Sequence, residues 1–146
     1  MSDQPSVGST ALDDLEKGDV VATVTETFTR ERLVRYAAAS GDFNPIHWSD
    51  RIATGVGLPG VIAHGMLTMG VAIRVVVDWL GDTERLVSYQ TRFARPVVVP
   101  DTDDGVEVTA TGTVSALDEQ TVTVMIDCRC GDDKVLGAAR AVIRRG

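Results

Sequence analysis

The chain has 146 residues, a formal net charge of −7, and 44% hydrophobic against 24% charged side chains. That length fits one domain, and the apolar share is enough for a packed core, which excludes wholesale disorder. A net negative chain is a poor nonspecific partner for nucleic acid or an anionic membrane surface, since both are polyanions. An acidic carrier protein could still dock on a local basic patch. Arg92, Arg95, Arg144 and Arg145 are the candidates, against the plainer reading of scattered solvated arginines.

Residues 1–14 are polar and acidic and read as a disordered tail, leaving 15–146 as the domain. The tail lacks the basic flank and apolar run of a secretory signal. Val20–Phe28 alternates Thr and Glu with small or apolar residues, a strand pattern. Thr29 then caps a helix from Arg30 to about Ala39, with Glu31 near the positive end of its dipole. Ser40–His47 is a loop, and Ser49 caps a short helix over Asp50–Thr54. The glycine-rich run Gly55–Gly60 has no phosphate-loop lysine and does not read as nucleotide-binding.

Gly65–Leu80 reads as one long helix, apolar nearly all round. It should be buried on most sides, its methionines included, with Arg74 and Asp78 paired on the least buried side and Gly81 ending it. Those two charges also break the longest apolar stretch, so no transmembrane helix is expected. Strand patterns follow at Leu86–Ala94, Val106–Leu117, Gln120–Cys130 and Val135–Ile143, with turns at Asp118-Glu119 and Gly131-Asp132-Asp133. Pro96 and Pro100 belong at an edge or bulge. One buried helix against an antiparallel meander is an α+β layer fold.

Cys128 and Cys130 lie two apart on a strand, too far for an unstrained disulfide, and read as thiols of a reducing compartment. With His47 and His64 the chain's two histidines, no zinc-ligand spacing is present. The cytoplasm is the expected location.

The chemistry concentrates in Tyr36–His47, YAAASGDFNPIH. Gly41 permits a turn and Pro45 bars ordinary helix, so Asp42, Asn44 and His47 sit on a rigid loop. Phe43 and Ile46 are expected to anchor it in a core. A carboxylate and an imidazole held on such a loop can share one water for general acid–base work. The plainer alternative is that Asp42 and Asn44 bond only the turn and His47 is a core histidine.

With the downstream His64-Gly65-Met66-Leu67, this motif resembles the MaoC-like hydratases and dehydratases, the R-specific enoyl-CoA hydratase family. Within the family, NPIHWSD and IAHGMLTMG are most similar to catalytic subunits of actinobacterial (3R)-hydroxyacyl-ACP dehydratases. The resemblance runs from Leu15 to the C-terminus and departs from many relatives at Val99-Pro100, where they carry Gly-Asp. It implies a hot-dog fold, its sheet wrapped around the long helix. It also implies reversible addition of water across the 2,3 double bond of an acyl thioester, on acyl carrier protein or coenzyme A. Asp42 and His47 would share the catalytic water, with Asn44 orienting them, and the N–H of Gly65 would bind the thioester oxygen. His64 is expected to be structural. No cofactor or metal is implied. The resemblance suggests a homodimer, or a heterodimer with a second hot-dog subunit. Alternatives are a CoA-linked R-hydratase for polyester synthesis or oxidation and, less favoured, a hot-dog thioesterase. A non-catalytic subunit would lack Asp42 or His47.

Overall fold

The alternating segment Val20–Phe28 is a strand, β1, in the computed structural model, which describes residues 10–146. It joins β2 (Leu86–Phe93), β3 (Val106–Leu117), β4 (Thr121–Cys130), the short β5 (Asp133–Lys134) and β6 (Leu136–Arg144). The sheet is antiparallel, ordered β1-β3-β4-β6-β2, with β5 on β4. Alternate residues of β3 and β4 are buried: Val108, Ala110 and Val114, then Val122, Val124, Ile126 and Cys128. On the other face, threonine hydroxyls pair across β1 and β3, Thr23 with Thr111 at 3.3 Å and Thr25 with Thr109 at 3.0 Å. The Asp118 carboxylate closes the β3–β4 turn by accepting the N–H groups of Gln120 and Thr121, both at 2.7 Å.

The helix caps form as the sequence predicts. Thr29 accepts the Arg32 N–H at 3.2 Å to start α2 (Arg30–Ser40), and Ser49 accepts the Ile52 N–H at 3.3 Å to start α3 (Asp50–Gly55). Most of the expected tail, residues 1–9, lies outside the described residues. Its last part differs from expectation: Thr10–Asp13 is a short helix, α1, and Leu12 is buried in the core.

The long helix is interrupted. It runs as α4 (Gly65–Ala72) and α5 (Arg74–Leu80), joined at Ile73. Tyr89 of β2 donates its hydroxyl to the Met69 carbonyl at 2.8 Å, and the Ile73 N–H reaches that same carbonyl at 3.3 Å. That carbonyl is thus shared by two donors one turn before the interruption. Leu67, Val71, Ala72, Val75, Val76 and Trp79 are buried, as expected, but Met66 is 59% exposed and is not a core methionine. Arg74 pairs with Asp78 at 2.9 Å and also with Glu26 of β1.

Pro96 and Pro100 lie outside the named strands, in the irregular segment after β2, where Val98 forms a bridge to Ile62. Cys128 is buried and Cys130 half-buried, both as free thiols. Burial pushes the Cys128 thiol up to about 12, which leaves it unreactive. Among the described residues no helix is long and apolar enough to cross a membrane.

Candidate active site

The motif loop builds itself from nested side-chain turns. Gly41, at φ 77°, ends α2, and Ser40 Oγ donates to the Tyr36 carbonyl while accepting the Asp42 N–H. Asp42 Oδ1 accepts the Asn44 N–H at 3.1 Å, and Asn44 Oδ1 accepts the Ile46 N–H at 3.2 Å. Pro45 then opens a 3-10 turn, Pro45–His47, compatible with its missing N–H. The turn thus uses one carboxylate oxygen of Asp42 and leaves Oδ2 free. Asn44 spends its carbonyl on the turn and does not line the adjacent cavity. Phe43 is 61% exposed, so the expected core anchor is corrected. Rigidity comes from polar bonds instead, including Trp48 Nε1–H to the Phe43 carbonyl at 2.9 Å. Ile46 is half-buried in the cavity wall.

A second chain segment clamps this turn. Ile62 donates its N–H to the Ile46 carbonyl at 3.2 Å, and its own carbonyl lies 2.7 Å from His47 Nδ1. A carbonyl only accepts, so Nδ1 carries the proton and Nε2 presents a lone pair. That Nε2 lies 3.8 Å from Asp42 Oδ2, beyond a direct hydrogen bond but within reach of one bridging water. His47 is 7% exposed, and Asp42 is open to solvent. The segment is itself braced: Asp50 accepts from Val61 N–H and from Arg30, whose Nε–H also donates to the Val99 carbonyl at 2.7 Å. In the sequence Asp50 reads only as a first-turn helix residue, so this brace was not visible there.

His64, 1% exposed, belongs to the same cluster. Its Nε2 is 3.1 Å from the Asp42 carbonyl and therefore carries the proton. Its ring stacks on His47, centroids 3.8 Å apart and planes 22° apart, and meets the Tyr36 ring edge-on at 4.7 Å. Burial holds its pKa below the ordinary histidine value, the Asp42 hydrogen bond offsets part of this, and nearby His47 adds to the lowering. Gly65 is the first residue of α4, and neither its N–H nor that of Met66 meets an acceptor among the described residues. A Cβ on Gly65 would lie 2.9 Å from Phe93 Cζ, so a larger residue here would have to displace that ring.

These groups line one mostly apolar cavity of about 600 Å³ that also receives Arg95. Of the basic candidates, Arg95 is therefore at the cavity. Arg145 is instead spent on the Asp118 and Leu12 carbonyls at 2.7 and 3.1 Å.

Asp42, His47 and His64 each offer a donor atom within 4.8 Å of the others, a grouping that sequence spacing alone did not reveal. Its geometry does not suit joint metal ligation. The imidazoles meet face to face, whereas nitrogen lone pairs lie in the ring planes, so they do not converge on one ion.

A sheet packed around a central helix, with the site at that helix's N-terminus, defines a hot-dog protein. The chain matches the family model described as MaoC like domain over residues 14–127, and it belongs to that family. It is 42% identical over 74 residues to 3-hydroxyacyl-thioester dehydratase X of Mycobacterium tuberculosis, 51% of this chain and 25% of that protein. It is 35% identical over 102 residues to the fatty acid synthase subunit beta of Gibberella zeae, covering 68% of this chain and 5% of that one. The chain thus spans a quarter or less of either relative. Among solved structures, a MaoC-like dehydratase aligns at TM-score 0.86 and 36% identity over 91% of this chain and 41% of its own. The (R)-hydratase from A. caviae involved in PHA biosynthesis aligns at TM-score 0.75 and 27% identity, covering 89% and 96%.

Proposed function

We propose that the chain is a (3R)-hydroxyacyl thioester dehydratase that equally hydrates trans-2-enoyl thioesters, acting on acyl-carrier-protein substrates of type II fatty-acid synthesis. The observation that carries this reading is the 3.8 Å gap between Asp42 Oδ2 and an unprotonated His47 Nε2, facing one apolar cavity. A water seated there donates one hydrogen to each acceptor. As its oxygen attacks C3, one of the pair takes a proton and the pair returns one to C2, so H and OH add across the double bond. Dehydration runs the same transfers backward. Charge developing on the thioester oxygen is met by the N–H of Gly65 at the positive end of α4. The thioester delocalises the charge itself, so the reaction needs no cofactor.

A second hot-dog domain, in a homodimer or a paired subunit, is part of this reading. The matched MaoC-like dehydratase chain is more than twice as long, and Phe43, Trp48, Met66 and Phe93 are exposed around the motif loop and the cavity. The second reading is an R-specific enoyl-CoA hydratase, favoured by the likeness to the A. caviae enzyme along its length. A thioesterase would need a free carboxylate on the central helix. Asp78, its one acidic residue, is paired with Arg74 on α5.

The test is hydration of a trans-2-enoyl group presented on coenzyme A and on acyl carrier protein, in chelator, with chiral analysis of the product. Cofactor-free (R)-3-hydroxyacyl product, formed faster on the carrier protein, is expected. Predominant S product, or activity lost to the chelator, contradicts the reading; preference for coenzyme A favours the second.

A further inference from the structure

His64 is buried, titratable and unused by the chemistry above. It is also costly. Its Nδ1 is buried with no hydrogen-bond partner among the described residues, and an unsatisfied buried acceptor destabilises a fold. A residue kept only to fill this space would better be apolar. What the imidazole does instead is touch both members of the reacting pair. It donates Nε2–H to the backbone carbonyl of Asp42, and it lays its face on the His47 ring.

Those two contacts bear on the gap between the pair. A carboxylate facing an imidazole nitrogen gains by taking up a proton between them and closing to a direct charge-assisted bond of about 2.7–2.9 Å. Closing it here would occupy the lone pair and oxygen that must hold the water. The His47 ring is fixed at one edge by the Ile62 carbonyl and on one face by His64. The Asp42 side chain is fixed at Oδ1 by the Asn44 N–H, and its backbone by His64. Tyr36 packs edge-on against His64 and keeps it in place. A neutral ring, as burial enforces, adds no cation beside His47.

We propose that His64 is a positioning residue: its ring face and its Nε2–H hold His47 and Asp42 one water apart, and so keep the pair open for catalysis. The inference rests on the proposed function, and its test separates the two.

Three variants divide the contacts. His64→Gln keeps a donor near the Nε2 position and loses the ring. His64→Phe keeps the ring and loses the donor. His64→Ala loses both. Hydration by the wild type is measured first, and its absence would count against the proposed function alone. The variants are then assayed well below their melting temperatures. The expected result is kcat reduced at least tenfold in the Gln and Phe variants and further in Ala, with KM within threefold. The Phe variant should be at least as stable as wild type, a combination that a purely structural role does not produce. Crystal structures of the Ala or Gln variant should show the Asp42–His47 distance shortened to a direct hydrogen bond, whatever the assay gives. A gap still near 3.8 Å, or kcat within twofold of wild type in the folded Phe and Gln variants, would overturn the proposal.

Discussion

Replacing Gly65 by proline isolates the proposed oxyanion donor, because it removes the backbone N–H that no side-chain deletion can reach. The structure meets the local requirements. Gly65 is the first residue of α4, where proline is tolerated, and His64 is already extended at φ −60° and ψ 129°, as a residue before proline must be. One obstacle is steric, since any Cβ at this position meets the Phe93 ring at 2.9–3.0 Å. Phe93 is 58% exposed and can move, at a rotamer cost of about 1 kcal/mol. The comparison therefore belongs in a Phe93→Ala background, with Gly65→Ala beside Gly65→Pro. In that background both carry a Cβ and only proline lacks the donor. Loss of one such donor costs about 3 kcal/mol of transition-state stabilisation, on the order of a hundredfold in kcat. Steady-state hydration by the two folded double variants measures this ratio. A ratio within threefold refutes the assignment and passes the role to the Met66 N–H.

Two further outcomes concern stability. Gly105, at φ 60°, would place a Cβ 2.1 Å from the Phe28 carbonyl oxygen, where β1 and β3 meet, so Gly105→Ala should cost about 3 kcal/mol or more in denaturant unfolding. A loss under about 1 kcal/mol would contradict the packing described. Burial lowers the pKa of His64 in the folded state, so the unfolded chain binds the extra proton below about pH 6.5, and stability should begin to fall there. Glu26 adds to the loss only at lower pH: burial raises its pKa, but bonds to Arg32 and Arg74 more than offset this and hold it below the usual 4.5. His64→Phe should flatten the pH 5–7 part of the urea-midpoint profile, and an unchanged slope would count against the assignment.

What could be read from the chain was local or carried by the motif. Thr29 and Ser49 announce their helices because a cap is satisfied by neighbours two or three residues away. The Asp42–His47 turn is legible for the same reason: its hydrogen bonds span two residues. What was missed depends on chain brought from elsewhere. The break at Ile73 lies one turn after Met69, whose carbonyl also takes a hydroxyl from β2, twenty residues away. Met66 is exposed at the cavity, and Phe43 is exposed on a loop held by polar bonds, so neither side chain has to enter the core. The stacking of His64 on His47 joins two motifs that the sequence shows only as separate stretches. The glycine at 65 answers to Phe93 as well as to any ligand.

The central claim is that Asp42 and His47 act together through a shared water. The most direct measurement is the rate of trans-2-enoyl thioester hydration by Asp42→Asn, His47→Ala and the double variant, each verified as folded. Each single change should lower kcat at least about a hundredfold, and the double change should cost little more than either alone, because one water serves both groups. A folded double variant with near wild-type turnover would contradict the account.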